Sequence, residues 1–342
     1  MDNQTNKIYL LLDSSELGGI ESHVLQLANG LKHHPINIKV VFLRGYPDHP
    51  LYDQLQQLDI DYQVLNGSVH ALWQALREEP ASLLHTHGYK AGIYGRCVSK
   101  LLATPVVSSY HAGEIPNGKL ALYDWIDRYS AGLADLVFAI SPQIAQRLPV
   151  KAEISDNFIN TSNIKASSGQ QIAFVGRLSH EKGPDRFLQL SQQFPQQQFH
   201  VYGTGALASS LQKSATDNVT FHGLQHNMSA VWPKIGLLIM PSRFEGLPMA
   251  ALEAMARGIP LLASRVGALD KLIQPAKPYG GWLVTEGDAN ELTQRFQYWL
   301  DLSAPARQSI QLNAQKTIHQ NFSSSSAIPK LITHYTQIIN KY

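Results

Sequence analysis

Short apolar runs alternate with amphipathic helical patterns from one end of the 342-residue chain to the other, and this alternation leaves few architectures open. Strand, crossover helix and a second strand in the same direction form the unit of parallel sheets, so the pattern predicts an α/β fold. In the first half the runs fall at 8–12, 38–43, 62–65, 82–85, 105–110 and 136–140. Ile20, Val24, Leu27 and Leu31 share one face of a helix that follows the first run. A second series occupies 172–175, 199–202, 219–221, 237–240 and 261–263. Between the series, 159–170 is polar and without period, as expected of an interdomain connection.

A chain of 342 residues exceeds the size at which one core stops growing, so two domains are expected, with room for a cleft. We place them at residues 1–160 and 161–324, followed by a terminal helix at 325–342 carrying Ile328, Leu331, Ile332, Tyr335 and Ile338. Hydrophobic residues make up 44% and charged residues 16%, which excludes a disordered chain. The formal charge of +2 is too small for a nucleic-acid partner. Cys97 is the only cysteine, which excludes an internal disulfide and a Cys/His zinc array and fits a reducing, cytoplasmic setting. Residues 1–7 are polar and lead into an apolar run too short for a signal-peptide core, and no stretch approaches a membrane span.

Two segments carry the chemistry. The first, Leu17-Gly18-Gly19-Ile20-Glu21-Ser22-His23, joins the first strand to the first helix, where glycines let backbone amides approach an anion. It is not the dinucleotide fingerprint, because no G-x-G-x-x-G spacing is present. The second runs from Pro241 to Pro260, with Glu245 in the loop after a strand and Glu253 inside the next helix. Carboxylates accept hydrogen bonds from sugar hydroxyls, and in the turn Gly246, Leu247, Pro248 and Met249 every residue but the proline offers a backbone N–H suited to a diphosphate. Two glutamates taken alone are better read as solvated surface groups, one in a loop and one on a helix.

The Glu245-Gly246-Leu247-Pro248-Met249 block with Glu253 resembles the E-x7-E signature of glycosyltransferase family 4. Phe174 to Gly183 is similar to the first loop of that family's second domain, which implies that Gly176, Arg177 and Lys182 meet the donor diphosphate. Gly203 and Gly205 match the next strand end, and His222 the strand after it, where the family holds the nucleotide base. Gly18-Gly19-x-Glu21 fits the family's first turn, and Ser109-Tyr110-His111 its strand-end histidine near the donor sugar. His85-Thr86-His87-Gly88 matches the D-x-x-H-x-H pattern in part. Around Gly267 and Lys271 the chain departs from the family, which usually has a second glycine and an acidic residue there.

The resemblance implies a GT-B architecture, in which two Rossmann-like domains face each other across a cleft and the terminal helix returns to the first. It implies a retaining, metal-independent hexosyltransferase without a cofactor, taking a nucleotide-diphosphate sugar as donor. The implied catalytic set is His111, Glu245, Arg177 and Lys182, with Glu253 on the ribose. The acceptor expected is a glycan or lipid-linked sugar in bacterial surface polysaccharide or lipopolysaccharide assembly, with peripheral contact at the inner membrane. Asp59-Ile60-Asp61 has the form of a metal-binding D-x-D but lies far in sequence from the donor motifs. A nucleotide-sugar epimerase on the same scaffold and a non-catalytic sugar-nucleotide binding protein are the competing readings.

Overall fold

The computed structural model describes residues 6–13, 18–111, 118–162, 164–274 and 279–342. Residues 1–5, Leu17 and Asn163, which the sequence reading touched, lie outside the described residues. The chain divides into two compact units, Met1–Asn160 with Ser324–Tyr342, and Thr161–Ser323.

The first unit is built on β1 (Asn6–Leu12), β2 (Ile36–Phe42), β3 (Asp61–Val64), β4 (Leu83–His87), β5 (Val106–Tyr110), β6 (Leu136–Ala139) and β7 (Glu153–Ile154), in the order β3-β2-β1-β4-β5-β6-β7. All of these pairs are parallel. β1 shows why: Ile8, Leu10 and Leu12 enter one core while Tyr9 and Leu11 enter the core on the opposite face. A strand apolar on both faces needs a helical layer on each side, the condition a parallel sheet satisfies.

The second unit contains β8 (Gln171–Val175), β9 (Phe199–Tyr202), β10 (Val219–Gly223), β11 (Ile235–Met240), β12 (Leu261–Ser264) and β13 (Gly281–Val284), in the order β10-β9-β8-β11-β12-β13. Its pairs are also parallel. Both units are therefore Rossmann-like. In each, strand order reverses beside the first strand, between β1 and β4 and between β8 and β11, and ligands of open α/β sheets bind outside the carboxyl ends at such points.

The helix Ser324–Ile339 packs on the first unit, where Ile328, Leu331, Tyr335 and Ile338 join the core beside Val24, Leu27 and Leu31. A Cβ at Gly30 would come within 2.6 Å of Ile328, so glycine lets the two helices approach. Each buried aliphatic side chain contributes about 1.5–3 kcal/mol. Tyr335 also bonds His85 through its hydroxyl, at 2.6 Å from Nδ1.

The second half of the 159–170 segment is not free of the second unit. The Ser167 amide donates to the Arg257 carbonyl at 2.7 Å, and the Ser167 hydroxyl to the Ile235 carbonyl at 2.7 Å.

Candidate functional site

In the second unit two loops leave the sheet on either side of the strand-order reversal. One follows β8 and runs through Gly176 and Arg177 to the turn His180–Lys182; the other follows β11 and leads into the helix Met249–Ala256. The loops are stitched together. The Arg243 guanidinium clamps Asp185 with two bonds, of 2.8 and 2.6 Å, and the Arg243 amide donates to the Glu181 carbonyl at 2.8 Å. Gly183 sits at φ +65, where a Cβ would lie 2.3 Å from the Pro241 carbonyl oxygen. Only glycine allows that approach.

This stitching delivers Lys182 to Glu245. The Lys182 ammonium donates to Glu245 Oε2 at 2.7 Å, and the Ser242 hydroxyl donates to Oε1 at 2.8 Å. The Glu245 side chain is 3% exposed, so both of its oxygens are held inside the protein. An ammonium carries three donors. Arg177, by contrast, is 57% exposed and only 3.7 Å from Glu181, an arrangement that costs little to redirect.

The glycine-rich end of β9 packs backbone to backbone against the first loop. A Cβ at Gly203 would fall 1.9 Å from the Gly176 carbonyl oxygen, and one at Gly205 2.6 Å from that of Leu178. His222, at the end of β10, stacks on Tyr202 with ring centroids 4.3 Å apart and bonds His200 at 3.0 Å. Burial lowers the His222 imidazole below its ordinary value, and Lys234 adds to the effect.

Glu253 lies apart from the Lys182–Glu245 pair in its bonding. Its Oε2 accepts from the Trp232 indole N–H at 2.7 Å, and Arg257 holds the Glu253 carbonyl at 2.7 Å while lying 5.8 Å over the Trp232 ring. Burial pushes the Glu253 carboxyl up, with Arg257 and the indole bond opposing it. Trp232 was not among the sequence candidates, since an isolated tryptophan in a Trp-Pro-Lys turn carries no motif. Trp232→Phe keeps the ring and deletes the bond. It should weaken nucleotide binding about tenfold, the equivalent of one lost charge-assisted bond, when measured by calorimetry against the parent. An unchanged affinity would show that Glu253 needs no such support.

In the first unit the residues at the strand-order reversal are histidines. His87 ends β4, His111 follows β5, and His23 stands in the helix Gly19–Lys32 that follows β1. His87 Nδ1 lies 3.1 Å from His111 Nε2, and the His23 ring centroid is 4.8 Å from that of His111. Burial lowers all of these imidazoles, His23 to about 4, and their mutual proximity lowers His87 and His111 further. His85 is committed elsewhere, bonded to Tyr335 and, at 2.7 Å, to Ser109. His23 was quoted within the first motif but not assigned a role. At the turn, Glu21 Oε2 accepts from the Gly18 amide at 2.8 Å, closing the helix start; among the described residues a Cβ at Gly19 would meet nothing within 4 Å. Asp59 pairs with Lys32 at 2.8 Å, and Asp61 begins β3.

Comparison with known proteins gives two family matches. Residues 156–317 match the model described as glycosyl transferases group 1, and residues 17–156 the one described as glycosyltransferase family 4. The O-antigen biosynthesis glycosyltransferase WbnH of Escherichia coli is 24% identical over 337 residues, covering 92% of this chain and 96% of its own. A UDP-Gal:alpha-D-GlcNAc-diphosphoundecaprenol alpha-1,3-galactosyltransferase of the same organism is 22% identical over 260 residues, covering 65% of this chain and 67% of its own. Among solved structures, HepE of Anabaena in complex with UDP-glucose superposes with a TM-score of 0.83 at 19% identity, covering 97% of this chain and 99% of that one. That likeness shows the fold, which is GT-B.

Proposed function

Given that the chain belongs to glycosyltransferase family 4 and is a glycosyltransferase, we propose that it transfers a hexose, with retention, from a uridine-diphosphate sugar to a lipid-linked glycan in surface polysaccharide assembly. The observation that carries the reading is the Lys182–Glu245 pair, held at 2.7 Å beside the turn into Met249–Ala256. The UDP-glucose bound by HepE supports the choice of donor, and the diphosphoundecaprenol named for the galactosyltransferase supports the acceptor class.

In the proposed reaction the bond from the anomeric carbon to the diphosphate breaks, a bond to the acceptor oxygen forms on the same face, and the acceptor proton passes to the departing phosphate. Positive charge grows on the sugar and negative charge on the diphosphate. Lys182 keeps one N–H on Glu245 and turns its remaining donors to the phosphate, joined by Arg177 and the amides of Gly246, Leu247 and Met249. Glu245 receives sugar hydroxyls, Glu253 the ribose, and His222 lies by the base. His111 takes part at the donor sugar, and Gly18 and Gly19 leave the space a ligand needs. Apart from His111, Gly18 and Gly19, the domain at 1–160 serves the acceptor, and that at 161–324 serves the donor.

Incubation with UDP-glucose, UDP-galactose and UDP-N-acetylhexosamines and a diphosphoundecaprenol-linked sugar, with NMR of the product's anomeric centre, tests the proposal. A product with the donor's anomeric configuration is expected; an inverted product, or free sugar without acceptor, would overturn it.

No helix among the described residues is long and apolar enough to cross a membrane. On the helix Lys119–Tyr129, however, Leu122, Trp125 and Tyr129 form an exposed stripe at helical spacing, 60%, 53% and 61% accessible. Peripheral contact at the inner membrane face is part of the proposal. Trp125→Ala should weaken binding to vesicles containing anionic lipid by several-fold in a sedimentation assay; equal binding would remove that part.

A further inference from the structure

The clustered histidines His23, His87 and His111 can do more than one thing. Strand order brings them together from separate elements, with one ring nitrogen of each within 4.8 Å of the others. His23 is 4% and His87 0% exposed, while His111 is partly open. A tetrahedral ion with nitrogen bonds of about 2.0–2.1 Å requires ligand nitrogens about 3.3 Å apart. His87 and His111 already stand at 3.1 Å, so closing the set asks movement chiefly of His23. The ring orientations have outer support. His85, hydrogen-bonded to Tyr335 and Ser109, packs 4.2 Å from the His87 ring, and Phe158 stands edge-on to His23 with ring centroids 5.7 Å apart.

We propose that His23, His87 and His111 form a three-imidazole site for a zinc-class divalent cation, and that its occupancy switches transfer off. An all-imidazole donor set suits zinc, cobalt, nickel or copper and not magnesium or calcium, which take oxygen ligands. His111 is the partly open member, so the fourth position lies on the side where water can reach. The ion is an inhibitor here and not a cofactor: it takes the nitrogen with which His111 would meet substrate. That second half rests on the function proposed above, whereas the site itself does not.

The test is titration of the metal-free full chain with cobalt(II), followed by visible absorption, and then displacement by zinc. We expect one equivalent of cobalt with the intense bands of tetrahedral coordination and displacement by one equivalent of zinc. His23→Ala and His87→Ala should each lose affinity at least tenfold. His23→Gln, of similar size, serves if the alanine variants unfold. Absence of saturable binding, or equal binding by the variants, overturns the site. Transfer is assayed in parallel with zinc and after added chelator: reversible loss is expected, and zinc binding with full turnover overturns the inhibitory role. If no donor supports transfer, the function proposal fails while the cobalt titration still decides the site.

Discussion

Lys182→Ala is expected to lower sugar transfer by at least about a hundredfold, the scale on which removing one preorganised charge donor acts on a transition state. The structure gives the substitution two consequences. The ammonium that would face the departing diphosphate is gone, and Glu245, 3% exposed, keeps only the Ser242 hydroxyl at 2.8 Å. A buried carboxylate stripped of its partner then turns away from the position where it would hold sugar hydroxyls. Lys182→Arg should not restore full activity, since a planar fork cannot replace a compact ammonium between two anions. Glu245→Ala should be as damaging for the complementary reason. Steady-state transfer alongside thermal unfolding separates the outcomes: a folded variant with parental turnover would remove Lys182 from the machinery.

Asp127→Ala is expected to destabilise the first unit by about 3–5 kcal/mol, because it strands a buried charge. The Arg96 side chain is 0% and that of Asp127 4% exposed. One Arg96 nitrogen bonds Asp127 Oδ1 at 2.6 Å, the Asp127 carbonyl at 2.9 Å and Ser130 at 2.8 Å; the other bonds Ser108 at 3.0 Å. The pair locks the helices Tyr89–Leu102 and Lys119–Tyr129 against β5, the strand that leads to His111. The packing is close: a Cβ at Gly92 would lie 2.3 Å from Asp127 Oδ1. Replacing both partners together, Arg96→Met with Asp127→Leu, should recover most of the loss, since the cost lies in the unpaired charge and not in the missing bridge. Denaturant unfolding of the single and double variants measures this. A loss under about 1 kcal/mol for Asp127→Ala would show that water reaches Arg96.

Much of the fold is legible in the sequence because it follows from local pattern. Runs apolar on both faces, such as 8–12, can only be central parallel strands. The Gly281–Val284 strand escapes because a glycine pair precedes Trp282 and reads as a turn, and Glu153–Ile154 because two exposed residues at a sheet edge have no apolar pattern. The strand at 82–85 runs on to His87, since its polar residues His85, Thr86 and His87 are buried by hydrogen bonds and neighbours that the chain does not print. The two loops of the second unit are legible as motifs, each contiguous in the chain. Their pairings are not: Lys182 with Glu245 depends on Arg243 clamping Asp185, and Trp232 with Glu253 on how one turn faces one helix. The histidine cluster is least legible. His23, His87 and His111 meet only because β1, β4 and β5 are neighbours in the sheet, an order that three separated residues cannot disclose.

Every proposed step needs a nucleotide-sugar site in the second unit, built on Lys182, Glu245 and Glu253. Calorimetric titration of the parent and of Lys182→Ala and Glu253→Gln with UDP-, GDP-, dTDP- and ADP-sugars, without added metal, tests it most directly. The account predicts saturable binding of the UDP-sugars by the parent, with at least tenfold weaker binding by each variant. Binding of no nucleotide sugar, or equal binding by parent and variants, would contradict it.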